Sequence, residues 1–358
     1  MKKNMDFISQ PFNSLEGKIT WQSPSNIALV KYWGKYGDQF PQNPSLSLTL
    51  SNCHTTTKVE YKPRKSNSKK YTFSFLFEGE QKPDFHPKIE QFLDRIAPYC
   101  PYVLDHEFII SSSNSFPHSS GIASSASGMS ALALSLLSIE KEGVGLTEEQ
   151  FLNKASFLAR LGSGSAARSI QGPVMSWGHS PFIEGSSQEF ATHINSGIHS
   201  VFSDYQDTIL LIDKGQKKVS STLGHQLMEK HPYADIRFKQ AHQNISRLIE
   251  ILSSGSLTDF ITLVEHEALT LHALMMASNP SFILMHPGTL EVINKVWEYR
   301  KETNLPLCFT LDAGANVHLL YPKSNATTIQ QFIADELAMY CQNNHYINDQ
   351  IGDGAKKM

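Results

Sequence analysis

Apolar and polar residues alternate strictly over residues 45–51, where Leu46, Leu48 and Leu50 fall on one face of an extended chain. A period of two is typical of a strand that buries one face, so this segment predicts a half-buried β-strand. Residues 55–61 and 71–77 predict two further strands, separated by a Lys- and Ser-rich turn region at 62–70.

Several segments carry helical signals. A helix is predicted from Ser124 to about residue 140, where an apolar run follows a Ser-rich loop. Thr147 and Gln150 have the spacing of a capping box, which predicts a second helix that ends at Gly162. Its apolar face comprises Phe151, Leu152, Ala155, Leu158 and Leu161. Further helices are predicted at about 233–254, 258–277, 287–302 and 327–342.

The order of these elements favours one fold class. Residues 307–312 and 317–321 flank a Gly-containing turn, which predicts a strand–turn–strand unit. Strands and helices follow one another without a regular βαβ rhythm, and this favours an α+β fold over a doubly wound sheet. A chain of 358 residues is too long for one small core, so we expect two domains, with a crossover near 180–200.

Composition narrows the class of partner. A formal net charge of −3 does not favour a nucleic-acid or anionic-membrane surface, so a basic site for an anionic ligand must be local. The four cysteines are far apart and lack metal-ligand spacing, which indicates reduced thiols. No apolar stretch has the length of a signal peptide or a membrane span. We therefore expect a soluble, cytoplasmic protein with a small-molecule substrate.

A loop of small residues at 111–128 opens the first predicted helix. Its backbone N–H groups and the positive end of the helix dipole suit a phosphate, and its serine hydroxyls add donors. The loop has neither the Walker A nor the dinucleotide-binding pattern. It favours a nucleotide-using enzyme, while a Ser-rich surface loop that caps an ordinary helix is the alternative.

Three more segments could carry chemistry. Lys31 follows the apolar run 27–30, where a solvated lysine is not expected, although a strand with solvated lysines is the alternative. Arg168 ends a seven-residue polar turn and suits bidentate recognition of a carboxylate or phosphate; a surface arginine after a helix is the alternative. Asp312 stands at a strand end before a Gly turn, where an aspartate often forms only local hydrogen bonds.

Together, the segments at 26–35, 117–127, 162–168 and 310–316 resemble, in order and spacing, those of the mevalonate diphosphate decarboxylases. That family belongs to the superfamily of galactokinases, homoserine kinases and mevalonate kinases (GHMP kinases). The resemblance covers about residues 20–345. It implies a two-domain α+β, GHMP-kinase-like fold with a cleft active site: a ribosomal S5 domain 2-like, ATP-binding domain at 1–195 and a ferredoxin-like domain at 196–358.

The resemblance also implies roles for individual residues. Asp312 would be the catalytic carboxylate, Arg168 the partner of the substrate carboxylate and Lys31 a further catalytic residue. The implied substrate-binding residues are Asn26, Tyr32, Lys35, Ser163, Ser165 and Ser221. The implied ATP-binding residues are Pro117, Ser119, Ser120, Gly121, Ala123, Ser124 and Ser125. ATP and Mg²⁺ are the implied cofactors, no residue is assigned as a metal ligand, and a homodimer is expected.

The implied reaction is the ATP-dependent decarboxylation of mevalonate 5-diphosphate to isopentenyl diphosphate in the mevalonate pathway of isoprenoid biosynthesis. A decarboxylase of the monophosphate and a kinase that stops at the 3-hydroxyl are the alternatives. The presence of both Asp312 and Lys31 argues against the kinase. A non-catalytic scaffold would be expected to lose the acid, the arginine or the phosphate loop, and none of them is lost.

Two positions depart from the family pattern. His118 and the serines after it stand where Thr-Ala-Ala is usual, and His225-Gln226 stands where Met-Arg or Met-Lys is frequent. The first change could alter nucleotide affinity, and the second puts contacts to the diphosphate in doubt. The N-terminus is extended by several residues, for which the sequence indicates no role.

Overall fold

The computed structural model describes residues 5–13, 15–65, 69–117, 122–215 and 221–358. The strands are β1 (Gly17–Val30), β2 (Lys35–Tyr36), β3 (Phe40–Pro41), β4 (Ser45–Pro63), β5 (Thr72–Phe77), β6 (Glu80–Gln81), β7 (His106–Asn114), β8 (Val174–Trp177), β9 (Thr192–His193), β10 (Gln206–Leu210), β11 (Cys308–Thr310), β12 (Val317–Tyr321), β13 (Tyr346–Gln350) and β14 (Lys356–Lys357). The α-helices are α1 (His86–Ile96), α2 (Ser124–Val144), α3 (Glu148–Gly162), α4 (Ser221–Leu227), α5 (Ala234–Ser254), α6 (Leu257–Met276), α7 (Pro287–Thr303) and α8 (Ala326–Phe332).

Two sheets organise these elements. The first has the order β14-β1-β4-β7-β5-β6, with β8 and β9 attached at β4, and only its β5–β7 pair is parallel among the described strands. The second is antiparallel, with the order β11-β12-β10-β13. Mostly antiparallel sheets with separate groups of helices confirm the α+β class.

The strand predictions were correct in type, but two of the predicted strands are parts of one longer strand. Residues 45–51 and 55–61 lie in one strand, β4, which pairs with β1 along most of its length, with β8 at residues 45–48 and with β7 at residues 55–63. The half-buried interpretation of residues 45–51 is wrong, because Ser45, Ser47 and Thr49 are buried as fully as the leucines between them. The small polar face is covered by Arg168 and by the backbone of Gly352, both of which it contacts through hydrogen bonds.

The helix predictions were better, because their signals are local. The capping box at Thr147 and Gln150 is formed in both directions, and α3 ends at Gly162 as expected. Helices α5, α6 and α7 match their predicted ranges to within a few residues. The last helix is the exception: after α8 the chain continues as a π-helical turn at Ile333–Leu337 and a 3-10 turn at Ala338–Tyr340.

The path of the chain between the sheets can be followed directly. The strand β9 still belongs to the first sheet and β10 to the second, so the chain changes sheet between residues 193 and 206. After β13 the chain returns, and β14 pairs with β1 in the first sheet. The boundary at 195/196 remains a prediction. Within the described residues, no helix is long and apolar enough to cross a membrane.

Candidate active site

A polar cavity of about 300 Å³ lies where the end of β1, the start of α2, the turn after α3 and the β11–β12 hairpin meet. Four cationic side chains and one carboxylate line it, which gives an excess of positive charge in a chain whose net charge is −3. The charged lining residues are Lys31, Lys35, Lys88, Arg168 and Asp312. The cavity therefore suits an anionic ligand, as the composition required.

Lys31 directly follows strand β1 and lies in the cavity wall. Its ammonium lies 3.0 Å from Asp312 Oδ1, and its side chain is only 2% exposed. Burial lowers its pKa, and the Asp312 carboxylate opposes this effect. The alternative of a solvated lysine is thereby excluded. Register shifts in the β1–β4 pairing flank Asn26 and Ala28, and such bulges are frequent next to functional sites.

The backbone of Lys31 is held as firmly as its side chain. Its N–H donates to Glu267 Oε2 at 2.9 Å, and its carbonyl accepts from Asn43 and Arg237. The carboxylate of Glu267, on α6, also accepts from both terminal nitrogens of Arg237 at 2.7 and 2.6 Å and from Asn244. This buried cluster therefore fixes the position of Lys31 from the second domain.

The sequence predicts a helix at about 258–277 but indicates no role for Glu267 or Arg237. A buried glutamate and arginine on helices rich in apolar residues were the available signal, since such charges are rarely buried without partners.

Arg168 lies in a short 3-10 helix (Gly164–Ser169) directly after α3 and is buried. Its guanidinium donates to Ser47 Oγ at 3.0 Å, to Ser45 Oγ at 2.7 Å and to Asn26 Oδ1 at 3.3 Å. All of these acceptors are neutral, and burial lowers the pKa of the guanidinium to about 10. Arg168 is therefore not a surface residue, and it presents a charge to the cavity that suits a carboxylate or phosphate.

Asp312 follows β11 and faces the cavity with its side chain 29% exposed. Its main-chain carbonyl accepts from Nε2 of the buried His272 at 3.2 Å. Desolvation is the main cause that lowers the pKa of His272 to about 4, so this ring is neutral near pH 7. A lysine on the carboxylate and a histidine on the backbone thus fix Asp312 at the cavity wall.

The start of α2 forms another part of the wall. Ala123, at its N-cap, has a left-handed backbone (φ 43°) and supplies no side-chain cap, so the first amides of the helix lack the usual side-chain acceptor. Ser125 faces the cavity and lies 3.4 Å from Ser163, measured between the hydroxyl oxygens. A helix start of this kind suits phosphate oxygens.

A second, mainly apolar pocket of about 100 Å³ adjoins this wall. It shares Lys88 and Ser125 with the polar cavity. Lys88 on α1 is exposed as a whole, yet the surrounding protein desolvates its ammonium and lowers its pKa. The apolar lining residues include Phe75, Phe77, Phe85, Ile89, Ile110, Met129 and Leu132. Sequence reasoning missed this pocket and Lys88, because the lining residues come from distant segments.

The structure brings most of the predicted site residues to the polar cavity, and their roles remain predictions. Three predicted residues do not line the polar cavity. Asn26 accepts a hydrogen bond from the Arg168 guanidinium, and Ser124 lines the apolar pocket. Pro117 lines neither pocket. Ser221 begins α4, but its side chain is outside the described part of the structure, as are Ser119, Ser120, Gly121 and His118. The predicted residues in the cavity wall are Lys31, Tyr32, Lys35, Ala123, Ser125, Ser163, Ser165, Arg168 and Asp312.

Comparisons with known proteins match both halves of the chain. Residues 23–188 match the family model of the diphosphomevalonate decarboxylase-like N-terminal domain, and residues 208–356 match that of the mevalonate 5-diphosphate decarboxylase C-terminal domain. The diphosphomevalonate decarboxylase of Ganoderma lucidum is 29% identical over 88% of this chain and 81% of its own. The phosphomevalonate decarboxylase of Haloferax volcanii is 26% identical over 89% of this chain and 92% of its own.

Solved structures show the same fold. The mevalonate diphosphate decarboxylase of Staphylococcus aureus superposes with a TM-score of 0.81 at 28% identity, over 96% of this chain and 98% of that one. A structure of MDDEF in complex with MVAPP, AMPPCP and magnesium has a TM-score of 0.81 at 27% identity, over 96% of this chain and 99% of that one. The match spans both domains, so the expected two-domain fold is confirmed.

Proposed function

Because the chain belongs to the diphosphomevalonate decarboxylase family, we propose that it converts mevalonate 5-diphosphate and ATP to isopentenyl diphosphate, ADP, phosphate and carbon dioxide. The observation that carries this proposal is the pairing of Asp312 with Lys31 in a cationic cavity that also contains Arg168. Such a cavity can hold a substrate with a carboxylate at one end and a diphosphate at the other.

The chemistry needs no electron sink from the protein. A tertiary 3-hydroxy acid loses carbon dioxide poorly, because hydroxide is a poor leaving group. Transfer of the γ-phosphoryl group forms a bond from phosphorus to the C3 oxygen, breaks its bond to ADP and releases the hydroxyl proton. The C3–O bond then breaks with its electrons on phosphate. The C1–C2 bond breaks in turn, and its electrons form the alkene as carbon dioxide leaves.

The cavity residues fit distinct parts of this sequence. Asp312 is the carboxylate available to orient the C3 hydroxyl and accept its proton, and the Lys31 ammonium favours its charged form. Arg168 offers a planar guanidinium for the substrate carboxylate. Since phosphoryl transfer depends mainly on positioning and charge stabilisation, this set is sufficient without a covalent intermediate on the protein.

The nucleotide fits across the junction of the two pockets. The apolar pocket suits the adenine ring, and the start of α2 with Ser124, Ser125 and Lys88 suits the phosphates. Within the described residues, no three His, Cys, Asp or Glu side chains gather as a metal site. Nucleotide-bound Mg²⁺ takes phosphate oxygens and waters as ligands and needs no all-protein cage, so the cavity residues fit it while Asp312 is left to act on the hydroxyl. When bound, Mg²⁺ neutralises charge on the phosphates.

The cellular location and the oligomeric state are inferred from family membership alone. We propose a cytoplasmic location and a homodimer as the working assembly. Light scattering of the purified protein gives the mass of the assembly directly, and a mass near 40 kDa would contradict the homodimer.

The test of the function is substrate choice. With mevalonate 5-diphosphate and ATP we expect release of both ADP and carbon dioxide. We expect kcat/KM to be at least about a hundredfold lower with the monophosphate, because each lost hydrogen bond to a charged group costs roughly 1.5–3 kcal/mol. Equal rates would favour a phosphomevalonate decarboxylase, the activity named for the Haloferax relative. ADP release without carbon dioxide would favour a 3-hydroxyl kinase.

A further inference from the structure

His225 stands at one of the departures from the family pattern, and the structure places it in the wall of the polar cavity. The residue is on α4 and only 7% exposed. Its ring lies between Tyr32 and Trp33, with centroid distances of 4.3 and 4.8 Å. A Cβ atom at the preceding Gly224 would come within 2.5 Å of the Trp33 ring, so this close contact requires glycine. The imidazole is therefore rigidly held.

The hydrogen bonding of the ring fixes which nitrogen carries the proton. The backbone N–H of Gly34 donates to Nδ1 at 3.0 Å, so Nδ1 must present its lone pair. In the neutral ring the proton is then on Nε2, at the other end of the imidazole. Burial, with a smaller contribution from the charge of Lys35, lowers the pKa of His225 to about 3, so the ring is neutral near pH 7.

Nε2 has no hydrogen-bond partner among the described residues, and His225 is part of the cavity wall. It therefore has access to the cavity. An N–H donor that the fold holds in place and does not use is available to a ligand.

The neighbours of His225 indicate which part of a ligand it meets. Asp312 marks the reacting centre and pairs with Lys31, whereas His225 contacts residues 32–34 and is influenced by Lys35. The His225 ring therefore faces the part of the cavity that residues 32, 33 and 35 line. In mevalonate 5-diphosphate the group remote from the reacting C3 is the diphosphate.

We infer that the Nε2–H of His225 binds an oxygen of the substrate's terminal phosphoryl group and so contributes to the preference for the diphosphate over the monophosphate. This inference rests on the proposed function for the identity of the substrate, and on the cavity alone for the recognition of a diphosphate. As a neutral donor, the ring adds a directed hydrogen bond without adding another charge to a cavity that already has four cations.

The test uses three substitutions of one residue. His225→Leu removes both ring nitrogens. His225→Asn retains an oxygen that can accept from the Gly34 N–H but does not reach the cavity. His225→Gln can place an amide N–H close to the position of Nε2. His242→Leu, on α5 and outside the cavity wall, is the control for loss of a partly buried histidine.

Binding of inorganic pyrophosphate and phosphate is measured by calorimetry with the nucleotide site saturated by ADP. We expect His225→Leu and His225→Asn to weaken pyrophosphate binding about tenfold or more, with a much smaller effect on phosphate. His225→Gln should recover most of the loss, and the control should match the parent. With mevalonate 5-diphosphate, KM should rise by the same factor while kcat changes less than about threefold.

Pyrophosphate affinity that is unchanged in His225→Asn, or lowered equally in His225→Gln, would overturn the inference. Melting curves identify a packing effect, which would lower the Tm and affect both anions alike, and that result would also overturn it. Because pyrophosphate binding needs no turnover, a parent protein that releases no carbon dioxide but shows this selective loss would refute the proposed function and retain the diphosphate site.

Discussion

Two buried lysine–carboxylate pairs in this protein differ in one respect, the exposure of the acid. Lys154 on α3 lies 2.7 Å from both oxygens of Glu140 on α2, and the two side chains are 4% and 2% exposed. Lys31 lies 3.0 Å from Asp312, whose side chain is 29% exposed. The first pair is enclosed in the packing of two helices, and the second has one member in a cavity wall.

The difference shows how one type of interaction serves two purposes. Burial raises the pKa of Glu140, and the charge of Lys154 opposes that shift, so this pair only compensates its own desolvation. In the open pair, burial lowers the pKa of Lys31 and the Asp312 carboxylate opposes that shift, while a substrate can reach the carboxylate. Loss of the enclosed pair should therefore affect the free energy of unfolding, whereas loss of the open pair should affect catalysis.

The largest expected effect follows from removal of the open acid. Asp312→Asn keeps the size of the side chain and removes the acceptor charge. Since general-base contributions are about 10²–10⁴-fold, kcat should fall by at least that factor. Nucleotide affinity and the Tm should change little, because the asparagine side-chain oxygen can still accept from the Lys31 ammonium and Asn supports similar turn hydrogen bonds. Steady-state turnover, nucleotide binding and a melting curve on one variant measure all three. Turnover within a few-fold of the parent would make Asp312 merely a turn residue.

The next effect concerns the enclosed pair. Lys154→Met leaves an uncompensated buried carboxylate, which should lower the free energy of unfolding by about 3–5 kcal/mol. The folded fraction should retain the kcat of the parent. The double variant Glu140→Gln/Lys154→Met should recover most of the stability, since it removes both charges. Urea denaturation of the parent and the two variants measures these free energies. A stable Lys154→Met protein, or one with an altered kcat, would contradict this division of roles.

A smaller effect is expected from Arg168→Lys, which keeps the charge of the cavity and loses the planar fork. Its three neutral acceptors hold the guanidinium in one orientation, and an ammonium cannot reproduce that geometry. We expect kcat/KM to fall about tenfold or more. Arg95→Lys, a nearby arginine outside the cavity lining, is the control. Unchanged kinetics of Arg168→Lys would mean that Arg168 does not bind the substrate carboxylate.

The last effect is one of pH, and it is the smallest at any single pH near neutrality. The pKa of His272, beside the open pair, is about 4 in the folded protein, and an unfolded histidine titrates near 6.5. The unfolded state therefore binds more protons between these values. The contribution to stability is complete above about pH 6.5 and is lost as the pH falls towards 4. Its slope is about 1.4 kcal/mol per pH unit. Urea denaturation at several pH values should show that the free energy of unfolding falls less steeply with decreasing pH in His272→Gln than in the parent. An identical slope would mean that His272 does not titrate in this way.

The sequence was informative where its signals are local. The capping box of α3 follows from residues three positions apart, and the burial of Lys31 follows from the apolar run before it. The residues that hold Lys31 in place could not be found in this way. Glu267 binds the backbone of Lys31 from 236 positions away, and Arg237 binds it from 206 positions away. Only tertiary packing brings those charges together.

The errors have a related origin. Residues 45–51 alternate apolar and polar positions, which normally indicates one solvent-exposed face. In this protein, Arg168 and the C-terminal segment cover the polar face. The apolar pocket beside Lys88 draws residues from β5, α1, β7 and α2, and no periodic pattern within one segment describes it. A single chain pattern records which positions are apolar, but not which distant segment will cover them.

The return of the chain to its first sheet bears on cooperativity. The strand β14 is contributed by the far end of the polypeptide, and one apolar core contains residues of both sheets, among them Leu29, Leu48, Ile209 and Leu320. Each half of the sequence also has a core of its own, but this shared core closes only when both halves are present. We therefore expect one calorimetric unfolding transition rather than two, and a pair of fragments cut near residue 195 should gain stability when they are mixed.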